Sequence, residues 1–192
     1  MFHHISGKLV EVNPTIAIVE TGGIGYEIHI SLNTFARLNG QQTVTLFLHP
    51  VFKEDAQTLF GFSETRERSL FRHLISVSGV GGNTARVILS SLSPDEATQA
   101  IASEDVASLK SVKGIGAKTA QRIVIDLKDK VSPEVSEGSE AKPTGALNKE
   151  AVSALEVLGY SPRSTEKIIL KILREYPAAS LEEIIKIALS KL

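Results

Sequence analysis

The 192-residue chain has no cysteine and no tryptophan, a single methionine, and only 5% aromatic residues. Without cysteine there are no disulfides and no thiolate metal sites, and the compartment is left open. Scarce aromatics weigh against a single-strand nucleic-acid binder, which needs ring platforms for the bases to stack on. No run approaches the ~18 apolar residues of a membrane span. The N-terminus also lacks a basic-then-apolar signal pattern, so a cytoplasmic protein with no membrane partner is expected. Net charge is only −1, which offers no general attraction for nucleic acid. Its distribution is uneven: residues 1–63 carry 3 basic and 5 acidic groups, 64–131 carry 10 and 8, and 132–192 carry 8 and 9. The small positive excess therefore falls in the middle segment.

That middle segment repeats itself. LISVSGVGGNTARVI (74–88) and LKSVKGIGAKTAQRI (109–123) align at a constant offset of 35, with eight of 15 positions identical. A unit this short cannot fold alone, so the copies are expected to pack together. Each reads as a helix, a Gly-apolar-Gly turn, and a second helix opened by Thr-Ala. Glycine lets the backbone turn tightly and approach a ligand closely. The following helix turns its unpaired N–H groups and positive dipole end toward the space before the loop. Such a cradle suits an anion, and two in tandem suit a phosphate backbone.

Other glycine-loop readings fail on residue identity. A dinucleotide fingerprint needs a third glycine where Thr84 and Thr119 stand, and a Walker loop needs Gly before the Lys-Thr pair, where Ala117 stands. What remains is a tandem helix–hairpin–helix, gripping backbone without reading bases. Its expected DNA-backbone contacts are Gly79, Gly81, Gly82, Asn83 and Thr84 in the first turn. Gly114, Gly116, Ala117, Lys118, Thr119 and Arg122 serve the second, with Lys110 and Lys113 close by.

Around this repeat the chain divides into four parts. Residues 1–63 hold five strand-like runs (5–12, 15–19, 26–30, 43–48, 58–62) and a short helix at 32–38, which fits a closed barrel of the OB type. Residues 64–131 are helical. Residues 132–146 include SPEVSEGSEAKPTG, a flexible acidic linker by composition that would span roughly 20 Å as coil. Residues 147–192 carry three amphipathic helical patterns, a minimal three-helix bundle. The fold class is thus α+β and multidomain: barrel, tandem hairpin domain, linker and terminal bundle.

With these parts in this order, the chain resembles the RuvA family of Holliday-junction branch-migration subunits along its whole length. The resemblance is carried by Gly22-Gly23-Ile24-Gly25-Tyr26-Glu27, by Glu54-Asp55-Ala56-Gln57 with Phe60-Gly61-Phe62, by the two turns, and by Ala154-Leu155, Leu158-Gly159-Tyr160 in the tail. It implies a homotetramer, one or two of which hold a four-way DNA junction open and flat. It also implies recruitment of RuvB, a hexameric ATP-driven motor, with the RuvC resolvase as a further partner. The barrel would form the tetramer core and the tail bundle (1–63 and 147–192 respectively) would contact the motor, through Leu155, Leu158, Tyr160, Ile169 and Leu173.

The family's acidic pin maps onto Glu54 and Asp55, which lie between two strand-like runs and should form a hairpin tip. A like-charge pair at ~6 Å costs roughly 0.7 kcal/mol in water and ~3 kcal/mol at an effective dielectric of 20. Repeated around a fourfold axis, such terms would oppose continuous duplex at the crossover. Two departures from the family stand out. Asn83 replaces the frequent Lys of the first turn, leaving backbone amides to hold the phosphate there. His3-His4 occupies a normally small, apolar or basic position; neighbours in a strand face opposite ways, so no chelating pair is expected. An enzyme of the nuclease or glycosylase type using the same grip is the competing class. Asp126 and Asp129 come too early for a glycosylase carboxylate, and no convergent metal-binding carboxylates stand out. No catalytic residue, metal or cofactor is expected.

Overall fold

The computed structural model describes residues 2–131 and most of 151–191, and it groups the chain into two compact units, 1–134 and 135–192. The expected linker, 132–146, lies outside the described residues.

The first unit opens with a closed barrel. Strands β1 (His4–Val12), β2 (Ile16–Thr21), β3 (Ile24–His29), β4 (Thr43–Phe52) and β5 (Gln57–Phe62) close in the order β1-β2-β3-β5-β4. Neighbours are antiparallel except β3 with β5. Alternation along the strands turns Ile5, Val19, Ile28, Val44, Leu46 and Leu48 into one apolar interior. Helix α1 (Leu32–Leu38) spans the residues expected of it, because Ser31 caps it by accepting from the Thr34 N–H. Strand β4 runs four residues beyond the expected end at Leu48. Past that point it pairs only with β5, so Pro50 sits on an edge where its missing N–H breaks no second ladder.

Strand β5 leads directly into α2 (Thr65–Ser76), followed by α3 (Gly82–Ser91), α4 (Pro94–Ala102), α5 (Val106–Ser111) and α6 (Ala117–Leu127). Barrel and helices share a core: Phe60 and Phe62 of β5 pack with Phe71 of α2, ring centroids 4.9 Å apart in both pairs. A second seam is polar. Buried Glu67 on α2 accepts from the Ser31 and Thr34 hydroxyls of α1, the latter at 2.7 Å. Burial pushes its carboxyl above the ordinary range, with those two hydrogen bonds opposing the shift. Asn33 adds a third tie, donating to the Leu89 and Leu92 carbonyls. Residues 1–63 and 64–131 thus meet through packed rings and a buried hydrogen-bond network.

In the second unit, helical residues at 151–152 and 154–156 pack with α7 (Pro162–Glu175) and α8 (Leu181–Lys191). The apolar interior is Ala151, Leu155, Ile169, Ile172, Leu173, Ile184 and Ala188. Ser180 and Glu183 form a capping box at the start of α8.

Candidate nucleic-acid interface

The two hairpins are near-copies in geometry. In the first, the Val77 N–H donates to Leu74 O at 3.1 Å and Val80 N–H to Val77 O at 3.0 Å; in the second, Val112 donates to Leu109 O at 3.3 Å and Ile115 to Val112 O at 3.1 Å. The apolar residue between the glycines is the anchor: Val80 and Ile115 are buried. Gly79 and Gly114 have φ of +91° and +89°, a region closed to most side chains, so glycine is required by the turn.

Gly81 and Gly116 are another matter. Their φ values of −89° and −81° suit any residue, and a Cβ built on either meets nothing within 4 Å. The backbone has no need of glycine at these two positions. They cap α3 and α6 without any side chain bonded to the first-turn amides, and neither helix carries an acidic residue in its first turn. Elsewhere in this unit the helix starts are occupied: Ser31 caps α1, Ser93 with Glu96 boxes α4, Asp105 caps α5, and α2 holds Glu67 in its first turn. Among the described helices of this unit, α3 and α6 are the ones with neither a side-chain cap nor an acidic residue in the first turn, and both open from exposed turns. That is the electrostatic form of an anion cradle.

The cradles are tied to one another. Arg122 of α6 donates from Nη1 to the Ser78 carbonyl of the first hairpin at 3.3 Å. A shallow groove then runs between them, lined by Ser78, Gly79, Lys118, Thr119, Gln121, Arg122 and Ile125, with the Asp126 carboxylate at one side. Arg122 was expected to serve its own turn. Instead it stands beside the first, so a cation does accompany the turn that has Asn83 in place of lysine. Lys118, Lys110, Lys113 and Asn83 are exposed, while Thr84 and Thr119 are half-buried. Gly82 is held by packing: a Cβ there would meet the Phe60 ring at 2.6 Å.

The pin residues form the β4–β5 tip. The Lys53 N–H donates to Ala56 O at 2.8 Å, and Glu54 and Asp55 stand fully exposed between them. In the tail, Leu155, Ile169 and Leu173 lie in the bundle interior and cannot be reached by a partner; Leu158 and Tyr160 are on its surface. The correction follows from helical periodicity, which marks apolar residues without separating core from contact face. His3 and His4 also depart from expectation. Strand β1 begins only at His4, so strand alternation does not apply to the pair, and their Nδ1 atoms lie 2.9 Å apart. Among the described residues no group of three or more His, Cys, Asp or Glu is placed to hold a metal ion, and no helix is long and apolar enough to cross a membrane.

Comparison with known proteins agrees with this geometry. Residues 1–61 match the RuvA N-terminal domain, 71–129 the SAM-like helix-hairpin-helix tandem, and 146–192 the RuvA C-terminal domain. A Holliday junction branch migration complex subunit RuvA from Christiangramia forsetii is 54% identical over the full length of both chains. The chain belongs to the RuvA family. Further RuvA relatives of the same name in Flavobacterium psychrophilum and Bacteroides fragilis are 47% and 43% identical, again over the full length of both chains. Sequence reasoning missed the Ser31–Thr34–Glu67 network and the Arg122 bridge, both of which join residues distant in the chain.

Proposed function

We propose that this chain binds four-way Holliday junctions as a homotetramer, holds the arms open and flat, and brings the RuvB motor to them for branch migration. It acts in the cytoplasm as a non-catalytic subunit, ATP hydrolysis belonging to the motor. The pair of matched, uncapped amide cradles joined by Arg122 carries the reading. Each contacts phosphate, which fixes position on the duplex and ignores sequence. Glu54 and Asp55, exposed at the β4–β5 tip, repel phosphates at the crossover and favour separated strands. Leu158 and Tyr160 are the tail residues available to the motor, and RuvC shares the junction as a further partner. One or two tetramers clamp the DNA.

The test incubates the full chain with a labelled four-way junction and Mg²⁺, beside duplex of the same sequence. Tight junction binding with intact DNA, and stimulation of RuvB-driven branch migration, is the expected outcome. Cut or base-free product would make the chain a repair enzyme instead.

A further inference from the structure

Away from the hairpin turns, a cluster of cationic and imidazole groups occupies the seam between β1, β4 and α2. Arg68 and Arg72 are one helical turn apart on α2, an unfavourable placement for like charges. Neither has a carboxylate within ion-pair distance among the described residues. Arg68 is buried. It lies 5.3 Å above the Phe47 ring, donates to the His3 carbonyl at 2.9 Å, and reaches His3 Nε2 at 3.3 Å. Its Nε is buried with no hydrogen-bond partner. Exposed Arg72 points Nε at His49 Nδ1, 3.4 Å away.

The imidazoles complete the pattern. A ring whose one nitrogen accepts from arginine carries its proton on the other. His3 therefore donates from Nδ1 to His4, and both His49 and His4 carry their proton on Nε2. Desolvation, then the arginine charges, holds His3 and His49 below the ordinary histidine pKa, which favours the neutral ring. The Nε2–H groups of His4 and His49 are thus donors beside two positive charges with no carboxylate partner among the described residues. This is a recognition surface for an anion.

Its position indicates which anion. The start of α3 rests on Phe60, Phe60 packs on Phe71 at 4.9 Å, and Phe71 meets His49 edge-on at 5.4 Å. Two ring contacts therefore separate the cluster from the first cradle, and phosphates recur every ~3.4 Å of axis along a strand. That cradle is also the one whose own turn lacks lysine. We propose that Arg72 and His49, backed by Arg68, form an additional phosphate-binding site that takes the DNA backbone beyond the first hairpin. This deepens the junction-binding reading and rests on it.

The experiment uses the full-length chain and measures junction affinity against salt for wild type, Arg72→Gln, Arg72→Gln with His49→Asn, and Arg66→Gln. Arg66 is a fitting control because it sits on the same helix but pairs with Asp95. Each phosphate contact contributes a log–log salt slope of about 0.9. The double variant should lose about one unit of slope and bind several-fold more weakly, irrespective of sequence, while Arg66→Gln keeps the wild-type slope. The His49 ring signals in NMR should move on adding junction and stay put with millimolar inorganic phosphate. An unchanged slope would overturn the site. So would saturation by inorganic phosphate, which would make the ligand a free anion. A fall in oligomeric mass of Arg72→Gln would also overturn it, assigning the cluster to a carboxylate of a second copy. Failure of the wild type to bind four-way DNA would instead remove the junction reading beneath it.

Discussion

Gly116→Ala separates what the fold requires from what the ligand requires. Gly116 has φ −81° and ψ 163°, and an added Cβ meets nothing within 4 Å. Replacing glycine by alanine at a helix N-cap costs roughly 0.5–1 kcal/mol. Removing glycine from the unfolded chain returns about 0.4–1 kcal/mol where the native conformation tolerates a side chain. The two nearly cancel, so the melting temperature should barely move. Binding should behave differently, because the cap residue borders the open α6 amides and a methyl group there would crowd a bound phosphate. A hydrogen bond to a charged acceptor is worth about 1.5–3 kcal/mol, and about 1.4 kcal/mol is tenfold in affinity. Losing one such bond per cradle therefore weakens junction binding about tenfold or more.

Gly114→Ala supplies the contrast. Its φ of +89° makes a side chain cost about 1–2 kcal/mol, or roughly 2–8 °C of melting temperature for a chain of this size. Thermal melts with junction binding by fluorescence anisotropy give both readouts. Unchanged affinity in Gly116→Ala would refute the amide-cradle argument. So would a melting loss in Gly116→Ala that matches Gly114→Ala.

Four further outcomes are expected. Lys118→Ala should weaken binding to all sequences alike and reduce the salt slope by about one unit; a base-dependent effect in competition assays would contradict backbone recognition. Glu54→Gln with Asp55→Asn should raise affinity for plain duplex relative to junction, and an unchanged ratio would make the pin a solvated tip only. Glu67 binds a proton more readily folded than unfolded, because its carboxyl is raised by burial. Its contribution to stability is therefore fully present below about pH 4.5 and is lost as pH rises through the folded value. Glu67→Gln should flatten that decline, and parallel melting curves against pH would remove Glu67 as its source. Deleting residues 146–192 should leave junction binding intact and abolish stimulation of the motor, measured by branch-migration assay.

Much of the molecule was legible from local pattern. The short helix at 32–38 and the hairpin equivalence, the latter from a 35-residue offset, were readable in this way. These features are decided within a few residues of chain. Their counterparts across the chain were not readable. Glu67 looks in sequence like any surface helix glutamate; only its position against Ser31 and Thr34 makes it a buried tie. Arg122 sits in a regular amphipathic pattern, and nothing local says that its guanidinium crosses to Ser78. The full length of β4 depended on Pro50 falling where one neighbour strand has already ended. Apolar periodicity in the tail found the helices, while the interior places of Leu155, Ile169 and Leu173 required their partners.

Charge arithmetic alone would have turned this chain away from DNA, and β5 shows why geometry prevails. The acidic tip, residues 53–56, feeds directly into β5, and Phe60 on that strand carries the start of α3. From Gln57 to Phe60 is three residues, about 10 Å of strand. The group that would repel phosphate and the cradle that would hold it are therefore fixed at two ends of one short rigid element. Phe71 and Phe62 lock that element to α2, and Glu67 locks α2 to α1. A flexible joint at residue 63 would let the tip and cradle move independently, and repulsion would then simply push the DNA away. With the joint packed, repulsion at the tip and attraction at the amides would act on one DNA molecule at a set spacing.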